Sequence, residues 1–512
     1  MAAERQSSTL PPAQPSYILR GHTAQIHSVQ FARENTRLIT GDADGWVIFW
    51  KLETKRALAV WKAHDGAILG TAEWARDKVI THGRDNNLRI WQIRSEDEST
   101  LSPNLPSEGF PGDRSMPWLL HTLPVNTLNF CAFSMCYAHA KGQTSGNEGS
   151  DAAPEADSNK TASILVAVPA RDDKMAEVYQ FPEERLRYVV PRAQSKDTGM
   201  VMAIKLVHAP TTQQTLVITG YEGGLTAVHL LPKDDSSAIG VAQLLYLSQP
   251  HTQPILSLDV LPDATTYFTS GADAVVAAHR IPNFAPDGDH DRAVKTKTAE
   301  GDDPPISIPS TWPGEIPETG EDEEADDPPI SIPDDAAEAL SFSKRPIVDA
   351  QSQRGDRKAG GLSSLLSNAS SPLANSKAQV LPRPAPVVQP PYKINNTKHA
   401  GQQSLSVRSD GRLFACGGWD SRVRIYSAKT LKEVALLKWH KEGVYAVAFA
   451  KLLEAKDLAN TEVGEYGNAD DRVVKRETGL SKLQRQREEK MQIKHWIAAG
   501  AKDGKISLWE IF

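Results

Sequence analysis

The order Arg20-Gly21-His22, Ile26, Val29, Phe31, Leu38-Ile39-Thr40, Asp44 and Val47-Ile48-Phe49-Trp50 recurs as His64, Ile68, Val79-Ile80-Thr81, Asp85 and Leu88-Arg89-Ile90-Trp91. The two aspartates lie 41 residues apart, and so do the two tryptophans. A fixed period constrains a chain strongly, because each copy must form a similar unit and the copies must bury their apolar faces on one another. Within each copy the apolar residues alternate over strand-length runs broken by Asp-Gly or Asn-Asn turns, which predicts short antiparallel strands.

This pattern resembles the WD40 repeat, whose fold is a β-propeller of four-stranded blades. Further copies follow. His121, Val125, Leu128 and Phe130 repeat the opening of a third unit, and Asp173 with Tyr179 repeats its close. Val201, Ile204 and Leu206 lead to the turn Gly220-Tyr221-Glu222-Gly223-Gly224; His251, Ile255 and Leu258 lead to Thr269, Asp273 and His279. His399 leads to Cys416, Asp420 and Tyr426, and His440, Val444, Val447 and Phe449 lead to Ala499, Asp503 and Trp509. Setting aside three insertions leaves about 330 residues, or about 47 per unit for seven units, near the period of such blades. The expected fold is all-β: a seven-bladed WD40 β-propeller, spanning 16–281 and 392–512, with long disordered insertions.

In WD40 blades a turn aspartate, the histidine after glycine, a strand hydroxyl and the blade tryptophan form a hydrogen-bonded chain. An indole N–H only donates, and a hydroxyl or imidazole passes the bond on to a carboxylate. Here the resemblance assigns His22, Thr40, Asp44 and Trp50 to the first blade and His64, Thr81, Asp85 and Trp91 to the second. His251, Thr269 and Asp273 stand in the fifth, His399, Asp420 and Tyr426 in the sixth, and His440, Asp503 and Trp509 in the seventh. Replacement of Trp by His279 and Tyr426, and of the hydroxyl by Ala499, predicts blades that depend more on packing.

The seventh unit holds three strands, and Ser16-Tyr17-Ile18-Leu19 precedes the first Gly-His without a blade of its own. That segment is expected to supply the missing outer strand and close the ring. Residues 1–15 read as a disordered N-terminus. The insertion 282–391 carries 17 of the 34 prolines, and its 300–338 stretch holds 14 acidic residues with no Lys or Arg. With a net charge of -7, the remainder carries -7 + 14 = +7, so acidity belongs to one segment. The octapeptide DDPPISIP occurs twice within it, at Asp302 and Asp326. A second, charged insertion, 452–494, has helical character near 481–494.

With strands lettered a to d outward, all the long insertions fall between a and b or between c and d, on one face of the ring. The opposite face keeps short turns, and is expected to be a docking platform with Arg84 and Arg422 as candidate partner-binding residues. No phosphate-cradling glycine loop, His-Glu-x-x-His, G-x-S-x-G or paired cysteine motif occurs, so no catalytic, cofactor or metal residue is assigned. Three cysteines, with no apolar run of membrane-spanning length, lead to an expected cytosolic or nuclear location.

Asp85-Asn86-Asn87-Leu88-Arg89-Ile90-Trp91-Gln92, the Gly220–Gly224 turn and Gly417-Gly418-Trp419-Asp420-Ser421-Arg422-Val423-Arg424-Ile425-Tyr426 together resemble the ASTRA-associated protein 1 family of filamentous fungi. The resemblance implies a nuclear, non-enzymatic scaffold subunit of the ASTRA assembly, linked to chromatin remodelling and to maturation of phosphatidylinositol-3-kinase-related kinases. Its implied partners are a kinase-related cofactor of histone acetyltransferases, the Tel2-Tti proteins and AAA+ helicases, with no direct nucleic acid and no membrane. Two alternatives stay open: a substrate adaptor of a ubiquitin ligase and a G-protein β-like signalling subunit. Residues 1–15 lack the heptads that the latter would bring.

Overall fold

Each repeat folds into a sheet of consecutive antiparallel strands, and the computed structural model arranges seven such sheets as a β-propeller. It describes residues 13–109, 114–127, 130–138, 162–193, 198–233, 238–282, 387–454 and 479–511. Blade 1 comprises Ile26–Ala32, Arg37–Asp42, Trp46–Lys51 and Arg56–Lys62, and blade 2 comprises Ile68–Trp74, Lys78–Gly83, Asn87–Gln92 and Trp118–Pro124. Blade 3 has Ser134–Tyr137, Ile164–Pro169, Ala176–Phe181 and Arg185–Val190, with blade 4 formed by Val201–Ala209, Gln214–Tyr221, Thr226–Leu230 and Gln243–Ser248. Blade 5 has Ile255–Val260, Thr266–Gly271, Val275–Arg280 and Lys393–Asn396, and blade 6 has Gln402–Val407, Leu413–Gly418, Arg422–Ser427 and Glu433–Lys438.

Blade 7 is built from both parts of the chain. Val444–Phe449, Trp496–Ala501 and Lys505–Glu510 are joined by Tyr17–Arg20, which runs antiparallel to the third strand with Tyr17 opposite Leu508 and Arg20 opposite Lys505. Leu19 is 1% exposed and packs with Ile26, Trp50, Trp496 and Leu508, so the first and last blades share one core. The other buried clusters follow the same rule, each formed mainly by two neighbouring blades. Alternation explains this: one set of side chains on each sheet meets the preceding blade and the other set meets the next.

Long connections leave by one face: 93–117, 231–242 and 281–392 between c and d, and 138–163 and 450–495 between a and b. Part of one returns to the sheets, since Gly240–Val241 pairs in parallel with Tyr188 and Val189 and gives blade 3 a fifth strand. The charged insertion of blade 7 ends in a helix, α1 (Gly479–Gln492), close to the stretch expected to be helical. It rests on blade 1 through a Glu488–Lys51 ion pair at 3.1 Å and through Met491. The 300–338 acidic stretch and both DDPPISIP copies lie outside the described residues.

The opening of the third unit corrects the sequence reading. His121 lies in the outer strand of blade 2, where its Nδ1 is 2.6 Å from Glu184 of blade 3, and the first strand of blade 3 begins at Ser134. Insertion 93–117 delays the outer strand of blade 2, so a histidine inside that strand falls at the spacing of a blade opening.

Candidate functional site

In blade 2 the indole of Trp91 donates to Thr81 Oγ1 at 2.9 Å, Thr81 Oγ1 lies 2.7 Å from His64 Nε2, and His64 Nδ1 lies 2.8 Å from Asp85. Because the indole can only donate, the threonine hydroxyl is left to donate to Nε2. The imidazole is then neutral, and its Nδ1–H donates to the Asp85 carboxylate. Burial holds His64 below its ordinary pKa, against the upward pull of Asp85. For Asp85 burial pulls upward, but the hydrogen bond from His64, with the Asp65 backbone N–H and the Arg89 guanidinium, holds it below the usual carboxylate value. Blade 5 repeats the geometry: His251 lies 2.9 Å from both Thr269 and Asp273, and His279 in the tryptophan place reaches Thr269 at 3.3 Å.

Blade 1 holds three of its four assigned residues together. Trp50 donates to Thr40 at 2.8 Å and Thr40 lies 2.7 Å from His22, but His22 Nδ1 meets Asp42 at 2.7 Å. Asp44 is not the acceptor; its backbone N–H donates to Asp42 Oδ1. Asp42 ends the second strand, in the place Gly83 holds in blade 2, and its fully buried carboxylate reaches the imidazole before the turn begins.

Blades 6 and 7 depart further. His399 is exposed and only within 3.9 Å of Asp420, whose carboxylate is instead held by both Nη atoms of Arg424, at 3.1 and 2.5 Å. Tyr426 is 1% exposed, and its hydroxyl has no hydrogen-bond partner among the described residues, because Cys416 offers no hydroxyl in the threonine place. In blade 7, Ala499 is replaced functionally by Ser507, directly opposite it on the next strand. Ser507 Oγ accepts from Trp509 at 2.8 Å and lies 2.7 Å from His440 Nε2. Asp503 is 4.0 Å from His440 and is paired instead with Lys505 at 2.6 Å.

These chains fix the short-turn face, which is the candidate partner surface. Its b–c turns span 43–45, 84–86, 170–175, 222–225, 272–274, 419–421 and 502–504. Arg84 is exposed and lies over the ring of Phe130, itself 42% exposed, at 4.1 Å, a cation–π pair that presents charge and aromatic surface together. Arg422 is half-buried at the start of its strand. The two arginines share a face but not a patch, since blades 7 and 1 separate blades 6 and 2.

The residue beside Arg422 that the sequence reading passed over is Trp419. It is 44% exposed and donates through Nε1 to Gln403 at 2.9 Å. Its ring lies over Gly401, where a β-carbon would come within 2.2 Å and where φ is +73°. A tryptophan placed in an Asp turn, outside the alternating strand pattern, was the available signal. Rigid, half-open aromatics of this kind anchor protein interfaces. Among the described residues no His, Cys, Asp and Glu group has metal-site geometry, and no helix is long and apolar enough to cross a membrane.

Seven blades, three of them (1, 2 and 7) carrying a histidine–hydroxyl–indole chain, define a WD40-type β-propeller, a class whose faces serve as recognition surfaces. The family model described as ASTRA-associated protein 1 matches residues 15–509. The chain is 36% identical over 539 residues to the ASTRA-associated protein 1 of Aspergillus niger, covering 100% of both chains. It is 37% identical to that of Verticillium alfalfae, over 97% of this chain and 93% of the relative. The likeness extends to the Schizosaccharomyces pombe protein of that name, at 25% identity over 85% of this chain and 93% of the relative. The chain belongs to the ASTRA-associated protein 1 family.

Proposed function

We propose that this chain is a non-enzymatic scaffold subunit of an ASTRA assembly and that it works by holding partner proteins on its short-turn face. The observation that carries the reading is full-length kinship with fungal proteins named for association with ASTRA, on a fold that supplies a rigid platform. On this reading its partners include a kinase-related cofactor of histone acetyltransferases, the Tel2-Tti proteins and AAA+ helicases. Its work then lies in chromatin remodelling and in maturation of phosphatidylinositol-3-kinase-related kinases, in the nucleus and partly in the cytoplasm. Trp419, with Phe130 under Arg84, supplies candidate anchors, and Arg84 and Arg422 supply charge.

The test is affinity purification of the tagged full chain followed by mass spectrometry, with a fluorescent fusion to locate it. Kinase-related and Tel2-Tti subunits in the eluate are the expected result. Cullin components would turn the reading toward a ubiquitin-ligase adaptor, and a Gγ-like chain toward G-protein signalling. Trp419→Ala and Arg84→Glu are expected to weaken capture without lowering the melting temperature.

A further inference from the structure

On the long-loop side, blades 5 and 6 enclose a groove of about 500 Å³ that neither the hydrogen-bonded blade chains nor the short-turn face uses. Its lining includes Leu261, Ile281, Tyr392, Arg280, Lys393 and Lys429. Arg280 lies 4.0 Å and Lys393 5.0 Å from the centre of the Tyr392 ring. Hydrogen bonding to Arg280 and the charges beside it hold the Tyr392 phenol below its ordinary pKa.

Among the described residues no carboxylate comes within ion-pair distance of Arg280, Lys393 or Lys429. Two acids close in sequence to lining residues are engaged elsewhere. Asp263 accepts from the backbone N–H and hydroxyl of Thr265, and Asp410 is held by Arg408 at 3.0 and 2.7 Å. The walls are fixed as well, because Lys393 Nζ donates to the Lys429 carbonyl at 2.6 Å and Asn395 Nδ2 donates to the Leu431 carbonyl at 2.8 Å. Such a site meets a ligand with little ordering cost.

We propose that this groove binds an extended acidic peptide of a partner protein. Carboxylates of the peptide meet Arg280 and Lys429, and an aliphatic side chain between them lies against Tyr392, Leu261 and Ile281. Charge complementarity selects the acidic character, and the aliphatic floor selects a peptide. A nucleic acid would need a basic stripe that follows successive phosphates, and three cations around an apolar floor do not make one.

The test is fluorescence-anisotropy titration of the full chain with a labelled twelve-residue probe peptide in which glutamates flank a Leu-Pro pair. The control probe carries lysines in place of the glutamates. Saturable binding of the acidic probe alone is expected, weakening at least about tenfold in Arg280→Glu/Lys429→Glu and as salt rises. Tyr392→Ala is expected to weaken it, whereas Arg56→Glu, a charge reversal on blade 1, leaves it unchanged. Circular dichroism melts establish that each variant is folded.

Equal binding of both probes, or insensitivity to the double reversal in a folded variant, overturns the proposal. So does a labelled single-stranded RNA or DNA duplex that binds with the same Arg280 dependence. Replacement of residues 284–386 by a short Gly-Ser linker excludes the chain's own acidic stretch. Probe binding that appears only after that replacement would mean an internal occupant and sink the proposal.

Discussion

Ile26 places its Cγ2 methyl 2.4 Å from the point a β-carbon on Gly500 would occupy, so the first strand of blade 1 is seated on a gap in blade 7. The same contact joins Ile68 to Gly41, Ile255 to Gly220 and Val444 to Gly417, with β-carbon distances of 2.6 to 2.9 Å. Blades 2 and 5 differ, with His82 and Ser270 in the glycine place; the His82 ring meets Phe133 edge-on, with Nδ1 accepting from the Phe133 backbone N–H. Angular fit at these four junctions thus depends on a missing side chain at a repeated place.

Gly500→Ala is therefore expected to destabilise the protein by about 1–3 kcal/mol through overpacking. Ile26→Ala alone is expected to cost about 2–5 kcal/mol by leaving a cavity. Because the two residues fill one space, the double variant should cost clearly less than the sum, as equilibrium denaturant melts would register. Simple additivity would mean that the contact does not set the fit.

The closing strand gives the second expectation. Removal of residues 1–20 exposes the edge of Lys505–Glu510 and uncovers the cluster of Trp50, Trp496 and Leu508 that Leu19 completes. Burying one leucine is worth about 1.5–3 kcal/mol, and loss of the strand's hydrogen bonds adds to that. A fall of several degrees in melting temperature is expected, with Leu19→Asp giving a large part of it in the full chain. An unchanged melt would refute closure by this strand.

Asp42 and Asp44 separate the observed chain from the one expected in blade 1. Asp42→Ala removes the acceptor of His22 and of the Trp46 and Asp44 backbone N–H groups, and is expected to cost about 1–3 kcal/mol. Asp44→Ala, at an exposed turn position, should cost under about 0.5 kcal/mol. In blade 7, Ser507→Ala leaves Trp509 Nε1 without its hydroxyl acceptor and is expected to fall in the Asp42 range. Comparable melts for Asp42→Ala and Asp44→Ala would contradict this geometry.

The 41-residue spacing made the blade count, the strand order and the ring closure legible, since period-2 apolar runs fix strands whatever the polar network does. Hydrogen-bond partners were legible where one hydroxyl and one acid stand at the repeated places, as around His64 and His251. Elsewhere two acceptors competed, as Asp42 and Asp44 do, or the group moved to a facing strand, as Ser507 replaces Ala499. Arg424 takes Asp420 from His399 by an i,i+4 reach that blade 2 already shows in Arg89 and Asp85, at 2.9 Å. His121 misled because spacing alone does not distinguish an outer strand from the link after it. Arg84 and Arg422 border short turns, but their separation around the ring is a property of closure that local sequence does not carry.

Buried histidines give the last expectation. Burial depresses His82 and His279 to about 3 and His229 and His440 to about 4, from 6.5. In the unfolded chain these groups take up protons near pH 6.5, while in the folded chain they stay neutral. The unfolded state therefore binds more protons between those limits, and stability falls as pH drops from 6.5 toward about 4, with His82 and His279 contributing down to about 3. Each group contributes at most about 1.4 kcal/mol per pH unit. His229 offers the cleanest test, because it is fully buried in the tryptophan place of blade 4 and neither ring nitrogen has a partner among the described residues. His229→Phe is expected to leave stability at pH 7.5 unchanged or raised, and to reduce the loss between pH 6.5 and 5 in denaturant melts. An unaltered pH slope would show that the imidazole is protonated, or solvated, inside the folded blade.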